Sequence, residues 1–522
     1  MNPAVTASEP RPDFRTWLAV IGSIIGAFIA VLNIQITNAS LPDIQGAIGA
    51  GMDDGGWIST SYLVAEIVVI PLTGFLAPVF SLRRYLLANT VLFLAMSVAC
   101  AFAGNLQQMI ALRALQGFFG GVLIPLAFTI TLTMLPRSRQ PAGLAMFALS
   151  ATFAPAIGPT IGGYLTETYG WQYIFYVNLV PGAVMLAALV HALPRAPMRP
   201  ALLRRGDWPG IVTLAIGLAS LQTVLEEGNK DDWFGSPFIV RLSFVAAAAL
   251  SLFIWIELTT GTPLLNLRLL RRRNFGLGSI ANVILGMALY GSVFLLPSYL
   301  SQMQGYNAQQ VGEVLAWTGL PQLVLIPFVP RLMRRFDARL LVALGLGLFA
   351  ASCFLNVDIN QDYSGPQLLF PNLVRAAGQA LVLTPLSVLA TSGIEPGNAG
   401  SASAMFNMMR NLGGSVGIAA LQTLLTRREQ FHSAVVTPAV SLFNEPTRQR
   451  LATLQSHFMS SGAADPATAW HDAVVTIGRG VRQQAYFLAY GDTFFLMGAT
   501  LLLAIVATLL MRRTIEGGAG VH

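Results

Sequence analysis

The run WLAVIGSIIGAFIAVLNIQIT at residues 17–37 contains no charged side chain. Rising about 1.5 Å per residue, a helix of this length crosses the roughly 30 Å hydrocarbon core of a bilayer. Inside lipid the backbone has no water to bond, so a run of this kind has to be helical. Polar, proline-containing residues precede it, and it is too long, and lacks the small-residue cleavage site, for a signal peptide. It is therefore expected to stay in the mature protein as its first span.

Similar runs recur at 57–77, 84–103, 106–132, 143–165, 174–193, 209–225, 237–257, 275–301, 312–332, 339–356, 367–391, 402–426 and 486–511, giving fourteen predicted transmembrane helices. Composition agrees: 54% of the 522 residues are hydrophobic and only 11% are charged, too little polar surface to cover soluble domains. Cys100 and Cys353 fall inside apolar runs, where they are expected as small buried hydrophobes rather than a disulfide or a metal pair.

Charge is divided unevenly between the connections. If the amino terminus is cytoplasmic, the inner connections hold Arg83 and Arg84; Arg137 and Arg139; Arg195, Arg199, Arg204 and Arg205; Arg268, Arg271, Arg272 and Arg273; and Arg331, Arg334, Arg335 and Arg339. The tails add Arg11, Arg15, Arg512 and Arg513. The short opposite connections offer only Lys230 beside Asp53, Asp54, Asp231, Asp232, Asp358 and Asp362. Arginine-rich loops stay inside, so both termini are expected in the cytoplasm. The net charge of +7 then follows from topology and anionic headgroups, and no nucleic-acid partner is implied.

The chain also repeats itself. PLTGFLAPVFSLRRYLL from Pro71 resembles PFVPRLMRRFDARLLVA from Pro327, which aligns Leu76 with Leu332, Phe80 with Phe336 and Arg83 with Arg339. At nearly the same offset Arg113 faces Arg375, Met146 faces Met405, and Gly158 faces Gly417. Parallel half-repeats suit a transporter of two bundles with a site near the midplane. The expected division is a tail at 1–16, an amino-terminal six-helix bundle at 17–193, a linker at 194–274 with two additional helices, a carboxyl-terminal six-helix bundle at 275–511, and a tail at 512–522.

Helix four reads LRALQGFFGG from Leu112, helix five reads APAIGPTIGG from Ala154, and GWQYIFYVNLVPG follows from Gly170. TNASLP from Thr37, GDWPGI from Gly206, PLLNLRLL from Pro263 and GSASAMFNMMRNLGGSVG from Gly400 extend the set over both halves and the linker. Together they resemble the signatures of the major facilitator superfamily, specifically its fourteen-span drug:proton antiporters of the EmrB and QacA type. The resemblance implies an all-α polytopic protein of the bacterial inner membrane, with two six-helix bundles plus two extra central helices. It implies export of drugs or other amphipathic small molecules driven by inward proton flow. In Gram-negative relatives it implies a periplasmic adaptor of the EmrA kind and an outer-membrane channel. No metal or cofactor is expected.

Within helix five, Gly158, Gly162 and Gly163 leave a face without side chains, and Pro155 and Pro159 weaken backbone bonding. Close approach and bending of two helices follow; the resemblance makes this segment a mark of exporters, while ordinary small-residue packing accounts for the glycines alone. Arg113 lies inside helix four, where an unpaired guanidinium costs at least ~2.5 kcal/mol, so it needs a partner or a cavity. The resemblance gives it a part in proton coupling; a static tie to backbone carbonyls is the other reading.

Glu66 sits mid-span in helix two, on one face with Ser59, Tyr62 and Thr73, a stripe expected to line water or substrate. A carboxylate there can bind and release a proton in each cycle, or serve as a neutral hydrogen-bonded tie. The chain departs from its relatives at Asn33, where an Asp is usual, and at Pro78, where the loop after helix two usually has an Asp. Asn33 cannot titrate, which leaves Glu66 as the first candidate proton carrier and Asp492, in the last span, as the second. The expected substrate cavity comprises Asn33, Thr37, Tyr62, Glu66, Gln116, Asn407 and Arg410. Arg113, Arg375 and Arg410 outnumber the acidic residues of the spans, which suits anionic or neutral amphiphiles, unless Arg410 merely fixes helices beside Asn407 and Asn411.

Residues 413–417 form a G-x-S-x-G pattern without a preceding strand, better read as close helix packing. No phosphate-binding loop occurs, Lys230 is the only lysine, and the five histidines lack ligand spacing. No nucleophile, base and orienting group stand together, so an intramembrane enzyme is the weakest reading. A same-fold importer, a dedicated metabolite or fatty-acid exporter, and a non-transporting receptor or scaffold remain the alternatives. The stretch 427–484, opening on RREQFH, is expected as a periplasmic loop whose Leu442, Leu451, Leu454 and Phe458 permit one or two amphipathic helices, as a lid or an adaptor contact.

Overall fold

A computed structural model describes residues 12–51, 54–261, 263–462 and 465–513; Arg11, Asp53 and His522 lie outside them. Among the described residues every regular element is helical. The principal helices are α1 (Phe14–Ala39), α2 (Trp57–Phe80), α3 (Leu82–Cys100), α4 (Leu106–Met134), α5 (Gln140–Tyr169), α6 (Tyr173–Ala192), α7 (Trp208–Glu227), α8 (Pro237–Thr259), α9 (Arg273–Met303), α10 (Gln309–Met333), α11 (Ala338–Phe354), α12 (Gly365–Thr391), α13 (Ala399–Val436) and α14 (Pro466–Leu509). Of these, 12 are long and apolar enough to cross a bilayer. The predicted total of fourteen crossings also needs α11, which is shorter, and α13, which is more polar. Both are packed into the bundle, with Leu346 and Phe349 of α11 and Phe406 and Arg410 of α13 buried.

Side chains at the helix starts satisfy backbone N–H groups that the helices themselves leave open. Asn105 accepts from the N–H of Gln108 at 2.9 Å ahead of α4, and Asp207 from that of Gly210 at 2.9 Å ahead of α7. Asn307 with Gln310, and Ser364 with Gln367, form capping boxes at α10 and α12. Such caps matter most at a membrane face, where an orphaned donor is costly. Outward-facing apolar side chains such as Phe244, Trp255 and Leu503 are well exposed and meet lipid.

The half-repeat is visible in matched contacts. Arg83 donates to the carbonyl of Leu193 past the end of α6 at 3.2 Å, and Arg339 to that of Met511 past the end of α14 at 3.1 Å. Arg113 of α4 reaches α2 through the carbonyl of Ile58 at 3.3 Å, and Arg375 of α12 reaches α10 through Thr318 Oγ1 at 2.6 Å. A Cβ on Gly158 of α5 would lie 2.5 Å from Gln35 Cβ on α1; one on Gly417 of α13 would lie 2.6 Å from Met287 Cα on α9. Thus α1–α6 and α9–α14 pack alike. The G-x-S-x-G pattern sits within α13, where Gly413 and Gly417 let that helix lie against α9.

The arginine-bearing connections gather at one end of the bundle, where Arg272 donates to the carbonyl of Gly393 at 2.7 Å and Arg273 to that of Leu510 at 2.8 Å. At the opposite end the α7–α8 hairpin is fastened to both halves. Thr60 of α2 donates to Glu227 Oε1 at 2.8 Å, and Trp233 Nε1 in the hairpin turn donates to Thr423 Oγ1 of α13 at 2.9 Å.

The stretch expected as a loop is mostly helix. α13 runs on to Val436 and α14 begins at Pro466, so only a short excursion holding the helix Glu445–Ser460 separates them. Polarity alone suggested a loop, yet Arg, Glu and Gln are good helix formers once lipid is left behind. Ion pairs fix α13 and α14 side by side here: Arg482 to Glu429 at 3.4 Å between the two extensions, and Arg428 to Asp492 at 2.6 Å at the edge of the last span. In the short helix Leu451 is buried, whereas Leu442 before it is exposed.

Candidate functional site

Glu66 of α2 is 2% exposed and faces a cavity of about 60 Å³ between the halves. Helix α4 passes directly behind it, since a Cβ on Gly121 would lie 2.9 Å from Glu66 Cγ. On the open side Asn411 Nδ2 of α13 donates to Glu66 Oε1 at 3.4 Å, and Tyr290 OH of α9 donates to Asn411 Oδ1 at 3.2 Å. Gln35 and Asn38 of α1, Gln222 and Glu226 of α7, and Ser415 of α13 complete the polar lining. The cavity holds water-sized occupants; pockets for drug-sized ligands run to roughly 300–1,000 Å³.

Toward the arginine-rich end the halves are in contact. A Cβ on Gly74 of α2 would meet the backbone of Gly400 at 3.3 Å, Ser403 Oγ donates to the carbonyl of Pro125 at 2.7 Å, and the rings of Phe128 and Phe406 lie 5.8 Å apart. The segment holding Gly158, Pro159, Gly162 and Gly163 is buried between α1 and α10. On one side Gly162 faces Ile36, and on the other Ala156 faces Gly319. The bare face of α5 thus serves contacts within its own half and across the interface.

The predicted residues separate into several groups. Arg113 Nη1 donates to Asn33 Oδ1 at 2.7 Å and to Gln116 Oε1 at 2.6 Å, with its Cζ 4.3 Å from the centre of the Tyr62 ring. Gln116 in turn donates to Ser97 Oγ at 2.6 Å. Arg113, Asn33, Gln116 and Tyr62 therefore form one buried network behind the cavity, with neutral partners for the guanidinium. Thr37 turns back to the carbonyl of Asn33 at 2.8 Å. Arg410 donates to Asn407 Oδ1 at 2.9 Å and lies 5.6 Å from the ring of Phe147. Asp492 is tied at 2.6 Å to Arg428 and at 2.7 Å to His432, away from the cavity. Of the residues expected to line a substrate cavity, Glu66 alone lines this one.

Gln222, Glu226, Tyr290 and Ser415 are additions that sequence reading passed over. Their spacing held a signal: Gln222 with Glu226, and Asn411 with Ser415, each stand four apart on one helix face. Glu226 falls one residue past the predicted seventh span, which ends at residue 225.

Comparison with known proteins places this arrangement in a family. Residues 23–418 match the Major Facilitator Superfamily. The "Colistin resistance protein EmrB" of Acinetobacter baumannii is 31% identical over 98% of this chain and 99% of its own. The "Multidrug export protein EmrB" of Escherichia coli is 30% identical over 98% of each chain, and the "Fatty acid resistance protein FarB" of Neisseria gonorrhoeae 29% identical over 95% and 96%. Among solved structures, the human organic anion transporter MFSD10 superposes with a TM-score of 0.57 at 16% identity, covering 93% of this chain and 99% of that one. The proton:xylose symporter XylE gives 0.56 at 15%, covering 94% of each. At those identities the likeness concerns the fold, whereas the near-full-length sequence matches and the matched half-repeats together establish that this chain belongs to the major facilitator superfamily, with the EmrB-type export proteins.

Proposed function

We propose that the chain is a proton-driven antiporter that exports drugs or other amphipathic small molecules across the bacterial inner membrane by alternating access. The observation that carries this reading is Glu66, a carboxylate 2% exposed in a cavity bounded by both halves and bonded across their interface to Asn411. An ionisable group deep within a membrane bundle is costly, by about 3 kcal/mol on insertion scales, and a role in which its charge changes accounts for its presence.

Ionised Glu66 accepts the Asn411 amide and holds α2 to α13; protonated, it can release that bond and let the halves part. Substrate and proton compete for the one cavity, so exchange follows from mutual exclusion. The contacts at Gly74, Ser403 and Phe128 would close the cytoplasmic side in this conformation, both termini lying in the cytoplasm. Relatives named for multidrug export, colistin resistance and fatty acid resistance support an amphipathic cargo. Phe443, 96% exposed ahead of the Glu445–Ser460 helix, offers an apolar contact for a periplasmic adaptor leading to an outer-membrane channel.

The test is transport by purified protein in liposomes under an imposed pH gradient, with a panel of fluorescent amphiphiles. Accumulation that collapses with the gradient is expected. No movement of any compound under any ion gradient would refute the reading.

A further inference from the structure

The cavity has a second carboxylate that the half-repeat does not supply. Glu226 lies in the last turn of α7, on the inserted hairpin, and lines the same cavity as Glu66. Polar groups line the way between the two, with one gap between the main-chain carbonyl and the side-chain amide of Asn411. Gln222 Nε2 donates to Glu226 Oε1 at 2.9 Å and to Ser415 Oγ at 2.8 Å, Ser415 Oγ donates to the carbonyl of Asn411 at 3.3 Å, and Asn411 Nδ2 donates to Glu66 Oε1 at 3.4 Å. Side-chain amides do not hand on protons readily, but the cavity of about 60 Å³ beside them, onto which these polar side chains open, has room for waters that do.

Its neighbour Glu227 is engaged otherwise, accepting from Thr60 at 2.8 Å and pairing with Lys230 at 3.3 Å. Lys230, one turn beyond, has a side chain 38% exposed, so this end of α7 borders the aqueous phase. The other charged or titratable groups that act on Glu226 or share its cavity are Glu227 beside it, Glu66 of α2 and Tyr290 of α9. The stretch of α13 facing the cavity presents neutral Asn411 and Ser415, and the buried guanidinium of Arg410 next to them acts on both Glu66 and Tyr290.

We propose that Glu226 is the outer proton-receiving group of the transporter. A proton from extracytoplasmic water binds the Glu226 carboxylate and passes through cavity water to the carboxylate of Glu66, leaving Glu226 ionised for the next. This rests on the reading of Glu66 as the coupling group, and it gives the inserted hairpin a function beyond bracing the two halves.

The test compares Glu226→Gln, Glu226→Asp and Glu66→Gln as full-length protein in liposomes, with ethidium as cargo and proton-driven flux followed against outer pH. Glu226→Gln should lower that flux at least about tenfold at neutral outer pH and alter its dependence on outer pH. Glu226→Asp should restore both. A pH profile like that of the unaltered protein in Glu226→Gln, with Glu66→Gln inactive, would overturn the inference and leave the role of Glu66 intact. Loss in Glu226→Asp equal to that in Glu226→Gln would overturn it in favour of a packing role. Undiminished flux in Glu66→Gln would instead remove the reading on which it rests.

Discussion

Arg113 donates to the side-chain carbonyl of Asn33 at 2.7 Å, and the amide nitrogen of that same Asn33 is buried with no acceptor among the described residues. A carboxylate at this position would remove the orphaned donor and give the guanidinium a counter-charge. Because the arginine is already desolvated, the pair would form without its full burial cost. Asn33→Asp is accordingly expected to stabilise the folded protein by about 1–3 kcal/mol, the size of an unsatisfied buried donor. Thermal unfolding in detergent checks this, and a lowered midpoint would count against it.

The same network makes Arg113→Lys an informative change. An ammonium keeps the charge but loses the fork that serves Asn33, Gln116 and the carbonyl of Ile58 together. Protein that elutes as a single species but no longer confers drug resistance on cells is the expected outcome. Resistance at the level of the unaltered protein would show that charge alone suffices.

Two glycines should respond oppositely to the same substitution. A Cβ on Gly158 meets Gln35 Cβ at 2.5 Å, so Gly158→Ala forces α5 from α1 and is expected to cost about 1–3 kcal/mol. Gly478 lies in the extended part of α14 with nothing within 4 Å, so Gly478→Ala should stabilise that helix by about 0.5–1 kcal/mol. Parallel melts of the two variants decide the matter.

The fold was legible because lipid imposes a length and a composition on each span, and the half-repeat was legible because equivalent residues such as Arg83 and Arg339 make equivalent contacts. The ends of α13 and α14 were not, because Arg428, Glu429 and Arg482 sustain helix outside the apolar runs through contacts between distant segments. The site was half legible. Glu66 and Tyr62 share a stripe on α2, yet one faces α13 across the cavity and the other lies beneath Arg113, a division set by which helices pack on either side. Glu226 depended on a hairpin docking beside the gap between α2 and α13, which periodicity in one chain segment cannot report.

At the arginine-rich end Asp337 caps α11, accepting from the N–H of Arg339 at 2.9 Å and from its Nη2 at 2.8 Å, with Arg513 at 3.5 Å. The Arg339 side chain bonded to it holds this carboxyl below its ordinary value of 3.8. A depressed carboxyl stabilises the fold above its unfolded value and loses that contribution as pH falls through the lower folded one. Asp337→Asn, which keeps the cap but loses the charge, should therefore melt slightly earlier than the unaltered protein near neutral pH, with the difference vanishing in acid. A difference that grew on acidification would contradict the assignment.

The most direct trial is proton movement itself. With Glu66→Gln in liposomes holding a pH-sensitive dye, addition of a transported amphiphile should evoke no proton flux, and a pH gradient should drive no accumulation. Proton flux and accumulation at the level of the unaltered protein would mean that the coupling charge resides elsewhere.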